Sequence, residues 1–124
     1  MLLDKLYKRQ RRQEKGSDCF VLNVIFNSKV NAQVVFKTED GNFKIVRFND
    51  KFWSRELRKA DYLPDIIELK IFVYTPNLKS DSRVKLSILD GSSVLKEESF
   101  ILPKENEFSG WFHISTLIPG KMDN

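Results

Sequence analysis

The chain has 124 residues, of which 41% are hydrophobic, 12% aromatic and 31% charged, and its formal net charge is +4 at pH 7. That is the length of one ordinary domain, long enough to bury a core without disulfide staples. A single cysteine, Cys19, and a single histidine, His113, exclude an internal disulfide and a Cys/His zinc site built by one chain, and no apolar run approaches the roughly 20 residues of a membrane-spanning helix.

The net charge is confined to the N-terminus. Lys5, Lys8, Arg9, Arg11, Arg12 and Lys15 stand against Asp4 and Glu14, and from Gly16 onward basic and acidic side chains balance. A domain that grips nucleic acid is expected to carry its own basic face, and residues 17–124 have no net excess that requires one. Residues 1–16 are rich in helix formers, with Leu2, Leu3, Leu6 and Tyr7 at helical spacing and Gly16 as a stop. They are expected to form a short basic amphipathic helix ahead of a single domain at 17–124. About 15 residues is marginal for an isolated helix, so this arm needs a surface. That surface is the domain's own edge, a second copy, or an anionic membrane or nucleic acid met through Lys8, Arg9, Arg11 and Arg12. The arm lacks the apolar core of a secretion signal and a Gly at position 2 for myristoylation, so the expected location is cytoplasmic.

After Gly16 the texture becomes β-branched and aromatic. Residues 19–26 and 32–36 read as two strands joined by Asn27-Ser28-Lys29, and residues 43–48 as a third. Asp40-Gly41 before the third strand is a hairpin signal, because Gly accepts the positive φ that such a turn demands. Residues 50–61 break the alternation. Phe52, Trp53, Glu56, Leu57 and Ala60 fit one or two helical turns, so a short helix or irregular crossover is expected there.

Pro64 holds Leu63 extended. Residues 66–74 then alternate, with Ile67, Leu69, Ile71 and Val73 on one face and Glu68, Lys70, Phe72 and Tyr74 on the other. In 83–89, Val84, Leu86 and Ile88 face inward, and Asp90-Gly91 makes a second turn. Residues 94–101 carry Lys96, Glu97 and Glu98, which suit an edge strand. Residues 111–118 form the last strand before Pro119-Gly120. The expected fold is all-β: an antiparallel two-sheet β-sandwich of jelly-roll or immunoglobulin-like topology, with the N-terminal basic helix and one short internal helix. The alternation resembles small carbohydrate-binding sandwiches in pattern alone, and no motif supports a named family.

Catalytic and metal chemistry find little to stand on. Asp40 and Asp90 are explained by their turns, although Asp40, Asp50 and Asp90 would have to converge if sandwich loops held calcium. His113 is the one neutral-pH base. Ser115 shares its strand face but lies nearly 7 Å along an extended chain, and Cys19 opens an apolar strand as core filler. Neither a nucleophile elbow nor a phosphate-binding Gly loop occurs. No enzyme activity and no cofactor or metal are expected.

The ten Phe, three Tyr and two Trp offer more. Phe72 and Tyr74 lie opposite the aliphatic row of their strand, and Trp111 and His113 share a face of the last strand. If the two strands are neighbours, Phe72, Tyr74, Trp111 and His113 make one aromatic wall, suited to a protein partner or a glycan. The plainer alternative is that this face is covered by Leu2, Leu6, Trp53 and Leu57. The leading expectation is a non-catalytic binding or adaptor module, acting alone or as a subunit of a homo-oligomer or larger assembly. The alternative places function in the basic arm.

Overall fold

The computed structural model describes residues 18–75, 82–102 and 108–118. The expected N-terminal helix, with Leu2, Leu6, Lys8, Arg9, Arg11 and Arg12, lies outside them. Six antiparallel strands build the described part: β1 (Cys19–Lys37), β2 (Phe43–Arg58), β3 (Ile66–Thr75), β4 (Ser82–Asp90), β5 (Ser93–Leu102) and β6 (Phe108–Leu117). They form one sheet in the order β5-β4-β1-β3-β6, with β2 also paired to β1.

β1 organises everything. One of its edges pairs with β2 from Cys19↔Arg58 through to Lys37↔Phe43. The other edge is shared: Phe20–Phe26 pair with β4 and Asn31–Phe36 with β3. Between the halves the register shifts, so that residues 26–29 of β1 lie against the single residue Lys51 of β2. Extra residues in one strand bend and twist it, and here they fold the sheet onto itself. Even-numbered residues of both halves of β1 point into the fold. Phe20, Leu22, Val24, Phe26, Val30, Ala32, Val34 and Phe36 are all buried.

The bend brings the two halves face to face. Trp53, opposite Val24, reaches Phe36 of the far half with ring centroids 5.4 Å apart. Phe26 meets Phe48 at the corner at 6.1 Å. Phe100 of β5 meets Phe112 of β6 at 5.1 Å, joining the two ends of the strand order. The result is a nearly closed sheet around one core.

The all-β expectation holds, but the two-sheet sandwich does not. β1 and β2 each run through both halves, and their pairing resumes beyond the register shift, so all six strands belong to one sheet. Asn27-Ser28-Lys29 is the bend of one strand and not a link between two. The internal helix expected at 50–61 is also corrected. β2 continues to Arg58, and only Lys59–Asp61 form a single 3-10 turn. Pairing with β1 overrides the weak helical spacing, as tertiary context does for marginal propensities. The alternation is hidden because Arg55 points inward between Trp53 and Leu57, its guanidinium 5.8 Å from the Phe36 ring centroid.

The turns follow the sequence. Gly41 and Gly91 have φ of +89° and +62°, conformations that side chains with a Cβ avoid. Asp40 holds the first turn: its carboxylate accepts the Thr38 hydroxyl at 2.5 Å, the Asn42 amide N–H at 3.1 Å and the Asn42 side-chain amide at 2.9 Å. Tyr62 leads the chain out of the 3-10 turn, buried edge-on against Phe20 at 5.8 Å. As expected, Ile67, Leu69, Ile71 and Val73 are fully buried, and β5 lies at a sheet end.

Candidate binding face

In the half of the molecule built from residues 43–50 of β2, residues 30–37 of β1, β3 and β6, the odd rows of β1 and β2 share an outward face with the even row of β3 and the odd row of β6. Cross-strand pairing sets their order. Asn49, Asn31, Tyr74 and Ser109 form one row, and Arg47, Gln33, Phe72 and Trp111 the next. Ile45, Val35, Lys70 and His113 form a third. Phe43 and Lys37 lie beside these, with Glu68 opposite Ser115 and Ile66 opposite Leu117.

The four aromatic-wall residues are therefore placed together. Phe72 and Trp111 are direct cross-strand partners with ring centroids 5.2 Å apart. Tyr74 lies two residues along β3 from Phe72, and His113 two along β6 from Trp111. The cover expected from Trp53 and Leu57 is not there, because both turn away from this face towards the core. Leu2 and Leu6 lie outside the described residues.

Large apolar side chains stay in solvent here. Phe43, Ile45, Ile66, Tyr74, Trp111 and Leu117 are each between 39% and 59% exposed. Scattered exposed hydrophobics are ordinary, but six on one sheet face are not. Beside them lies a shallow depression of about 370 Å³, lined by Asn31, Gln33, Arg47, Phe72 and Tyr74. Its polar groups brace one another: Arg47 Nε donates to Gln33 Oε1 at 3.3 Å, and Asn49 Nδ2 to Asn31 Oδ1 at 2.6 Å.

Glu68 stands among three basic groups. Its carboxylate lies 3.7 Å from His113 Nε2, 3.8 Å from Lys70 Nζ and 3.9 Å from Lys37 Nζ. Lys37 Nζ also sits 5.3 Å from the Phe43 ring centroid. All three separations are long for charge–charge contacts, the one to His113 is an ion pair only when the imidazole is protonated, and solvent-accessible pairs at such distances contribute little stability.

Catalytic and metal geometries do not form among the described residues. No three His, Cys, Asp or Glu side chains converge. Asp40 is engaged in its turn, Asp50 accepts the Lys51 amide at 2.7 Å, and Asp90 pairs with Lys59. The Thr38 hydroxyl and the Asn42 amide hold the Asp40 carboxyl below its ordinary pKa. Cys19 opens β1 opposite Arg58, away from His113 in β6. Burial, reinforced by the carboxylates of Glu56 and Asp18, raises the Cys19 thiol pKa, which lowers its thiolate fraction. No helix among the described residues is long and apolar enough to cross a membrane.

Sequence reasoning placed Lys70 on the face of Phe72 and Tyr74 but missed Phe43, Ile45, Arg47, Asn31, Gln33 and Lys37 as members of it. Alternation groups Phe43, Ile45 and Arg47, but the opposite row of the strand carries Val46 and Phe48 and is just as apolar. Only the long-range pairing decides which row faces solvent. Comparison with protein-family models, curated proteins and solved structures finds no match for this chain.

Proposed function

We propose that this chain is a non-catalytic, cytoplasmic binding module that docks a protein partner on the outward face of β2, β1, β3 and β6. One observation carries the reading: Phe43, Ile45, Ile66, Tyr74, Trp111 and Leu117 lie exposed on a single sheet face. Each is already about half buried, so covering the rest would contribute about 1 kcal/mol per side chain before the costs of association. Trp, Tyr and Arg are also the residue types that most often carry binding energy at protein interfaces, and Trp111, Tyr74 and Arg47 meet here.

A crosslinking experiment tests it. A photoreactive phenylalanine analogue replaces Trp111 or, as a control, exposed Ser54 on the other half of the sheet. After irradiation in the cells that make the protein, adducts are identified by mass spectrometry and the captured protein is purified. The expected outcome is an adduct from position 111 and not from 54, with affinity reduced about tenfold or more by Trp111→Ala. Equal adducts from both positions, or equal affinity of the variant, would sink the proposal.

A second reading rests on the depression. Amide and guanidinium groups of Asn31, Gln33 and Arg47 beside the rings of Phe72 and Tyr74 suit a glycan, whose hydroxyls take hydrogen bonds while its apolar face stacks on an aromatic ring. Glycan binding that is lost on Gln33→Ala and Phe72→Ala together would favour it. Association of the basic arm with anionic membrane or nucleic acid, or assembly into a homo-oligomer, remains a separate proposal for residues outside the described set.

A further inference from the structure

The exposed face is not only apolar. Of the residues that its strand pairing turns outward, Arg47, Lys37 and Lys70 are basic and Glu68 alone is acidic, with His113 alongside. A balanced domain has thus set a net positive charge on its stickiest surface. We infer that the partner docked there is an acidic protein segment that combines apolar side chains with carboxylates, and that these carboxylates enter the basic ring around Glu68. The inference rests on the reading of this face as a protein-binding surface and adds the chemistry of what it binds.

Three arguments select this occupant. The first is charge. The chain's own N-terminal arm carries six basic against two acidic side chains, so it meets the face with like charge. A second copy packed face to face would bring together two faces of the same net positive charge. Juxtaposed like charges cost affinity and reject wrong partners, whereas an acidic segment is complementary.

The second argument is the geometry of Glu68. One carboxylate serves Lys37, Lys70 and His113, each at 3.7 Å or more. The basic groups are held apart by it and are not consumed. A partner carboxylate arriving beside Glu68 finds Lys37 and Lys70 within reach, flanked by Phe43 and Trp111. Displacing water there strengthens charge-assisted hydrogen bonds. The same Glu68 disfavours a continuous row of phosphates, because it places a negative charge in the middle of the basic groups. That weighs against nucleic acid and against an anionic membrane.

The third argument is size. Four strands about 4.8 Å apart, over some eight residues at about 3.3 Å each, give a footprint of roughly 500 Å². Side chains corrugate that plane and raise its accessible surface, so the whole face comes to no more than the roughly 800 Å² per partner at which stable interfaces between globular proteins begin to be typical. A face of this area suits a segment that lays a few side chains across it.

Selection from a library of random-sequence peptides displayed on phage tests the inference, with the full chain as bait. Enriched peptides are then synthesised and titrated. Aspartate and glutamate should be enriched together with apolar residues. Binding should fall about tenfold or more on Lys37→Glu with Lys70→Glu, and on Trp111→Ala, and stay unchanged on Lys85→Glu, which lies outside the face. Lys37→Gln with Lys70→Gln guards against misfolding: it removes the charge without adding carboxylates beside Glu68, and it should weaken binding in the same direction. Peptides that need Trp111 but show no acidic excess, or that ignore both lysine variants, overturn the inference and leave the protein-binding face intact. No enriched peptide that depends on Trp111 overturns both. Tight binding to phosphatidylserine vesicles, lost in the lysine variants and without acidic peptide enrichment, replaces the inference with a membrane surface.

Discussion

Tyr62 concentrates several effects in one side chain. It is buried where the chain passes from β2 to β3, and its hydroxyl donates to the Ile66 carbonyl at 3.5 Å. Burial disfavours the phenolate, the carboxylates of Glu68 and Glu39 add to this, and the pKa is pushed up to about 12. An unfolded tyrosine titrates near pH 10. The folded value lies above the unfolded one, so the native state holds the proton more tightly. The resulting stabilisation is complete below about pH 10 and is lost as the pH rises towards 12. Two pH units correspond to roughly 2–3 kcal/mol at most. In denaturant titrations across this range, the wild type should lose about 2 kcal/mol relative to Tyr62→Phe, and the two should run parallel at lower pH. Parallel curves throughout would mean that the phenol ionises as easily in the fold as in the unfolded chain. Tyr62 is also a residue that sequence reading passed over. It stands between Asp61 and Leu63 in a stretch without alternation, and its burial depends on Phe20, more than forty positions away.

At the scale of the element, the bend of β1 decides the architecture, and polar side chains pin it. Asn27 Oδ1 accepts the Ser82 hydroxyl at 2.5 Å and the Arg83 amide at 2.8 Å. With its proton given to Asn27, Ser82 Oγ accepts from Ser28 Oγ at 3.1 Å. The corner of β1 is thereby tied to the first residues of β4. Asn27→Ala leaves the buried Ser82 hydroxyl and the Arg83 N–H without this acceptor, at a cost of about 1–3 kcal/mol. Asn27→Asp keeps an acceptor and should cost distinctly less. Urea midpoints compare the two, and a neutral Asn27→Ala would show that the corner is held by packing of Phe26 and Val30 alone. This corner explains what the sequence hides. Period-two runs and Asp-Gly turns locate strands and their buried rows, because those signals are local. Asn27-Ser28-Lys29 looks like any polar loop, and nothing local says that the strand continues through it and resumes its pairing with β2 at Val30. Residues 50–58 mislead for the same reason: Phe52 outside and Arg55 inside blur an alternation that only pairing with β1 enforces.

At the scale of the whole molecule, the candidate face and the closure of the sheet both arise from which strands become neighbours. The aromatic wall was half legible. Strand parity groups Phe72 with Tyr74 and Trp111 with His113, but the β3–β6 pairing that joins the two groups is non-local. The basic ring was not legible, since Lys37 comes from β1 while Lys70 and His113 come from β3 and β6. The same long-range logic makes the Phe100–Phe112 contact a test of closure. β5 and β6 are the two ends of the strand order, and this ring pair joins them across the fold at 5.1 Å and 43°. Tilted aromatic pairs contribute about 0.5–1.5 kcal/mol beyond burial. A double-mutant cycle with Phe100→Leu and Phe112→Leu should therefore give a coupling of about 1 kcal/mol. Hydrogen exchange adds the spatial reading. Amides of β5 and β6 should exchange faster in either variant, while those of β1, held on both edges, keep their protection. Additive losses, with β1 opening together with β5 and β6, would mean that the sheet ends are held by the core as a whole and that this ring pair does not close it.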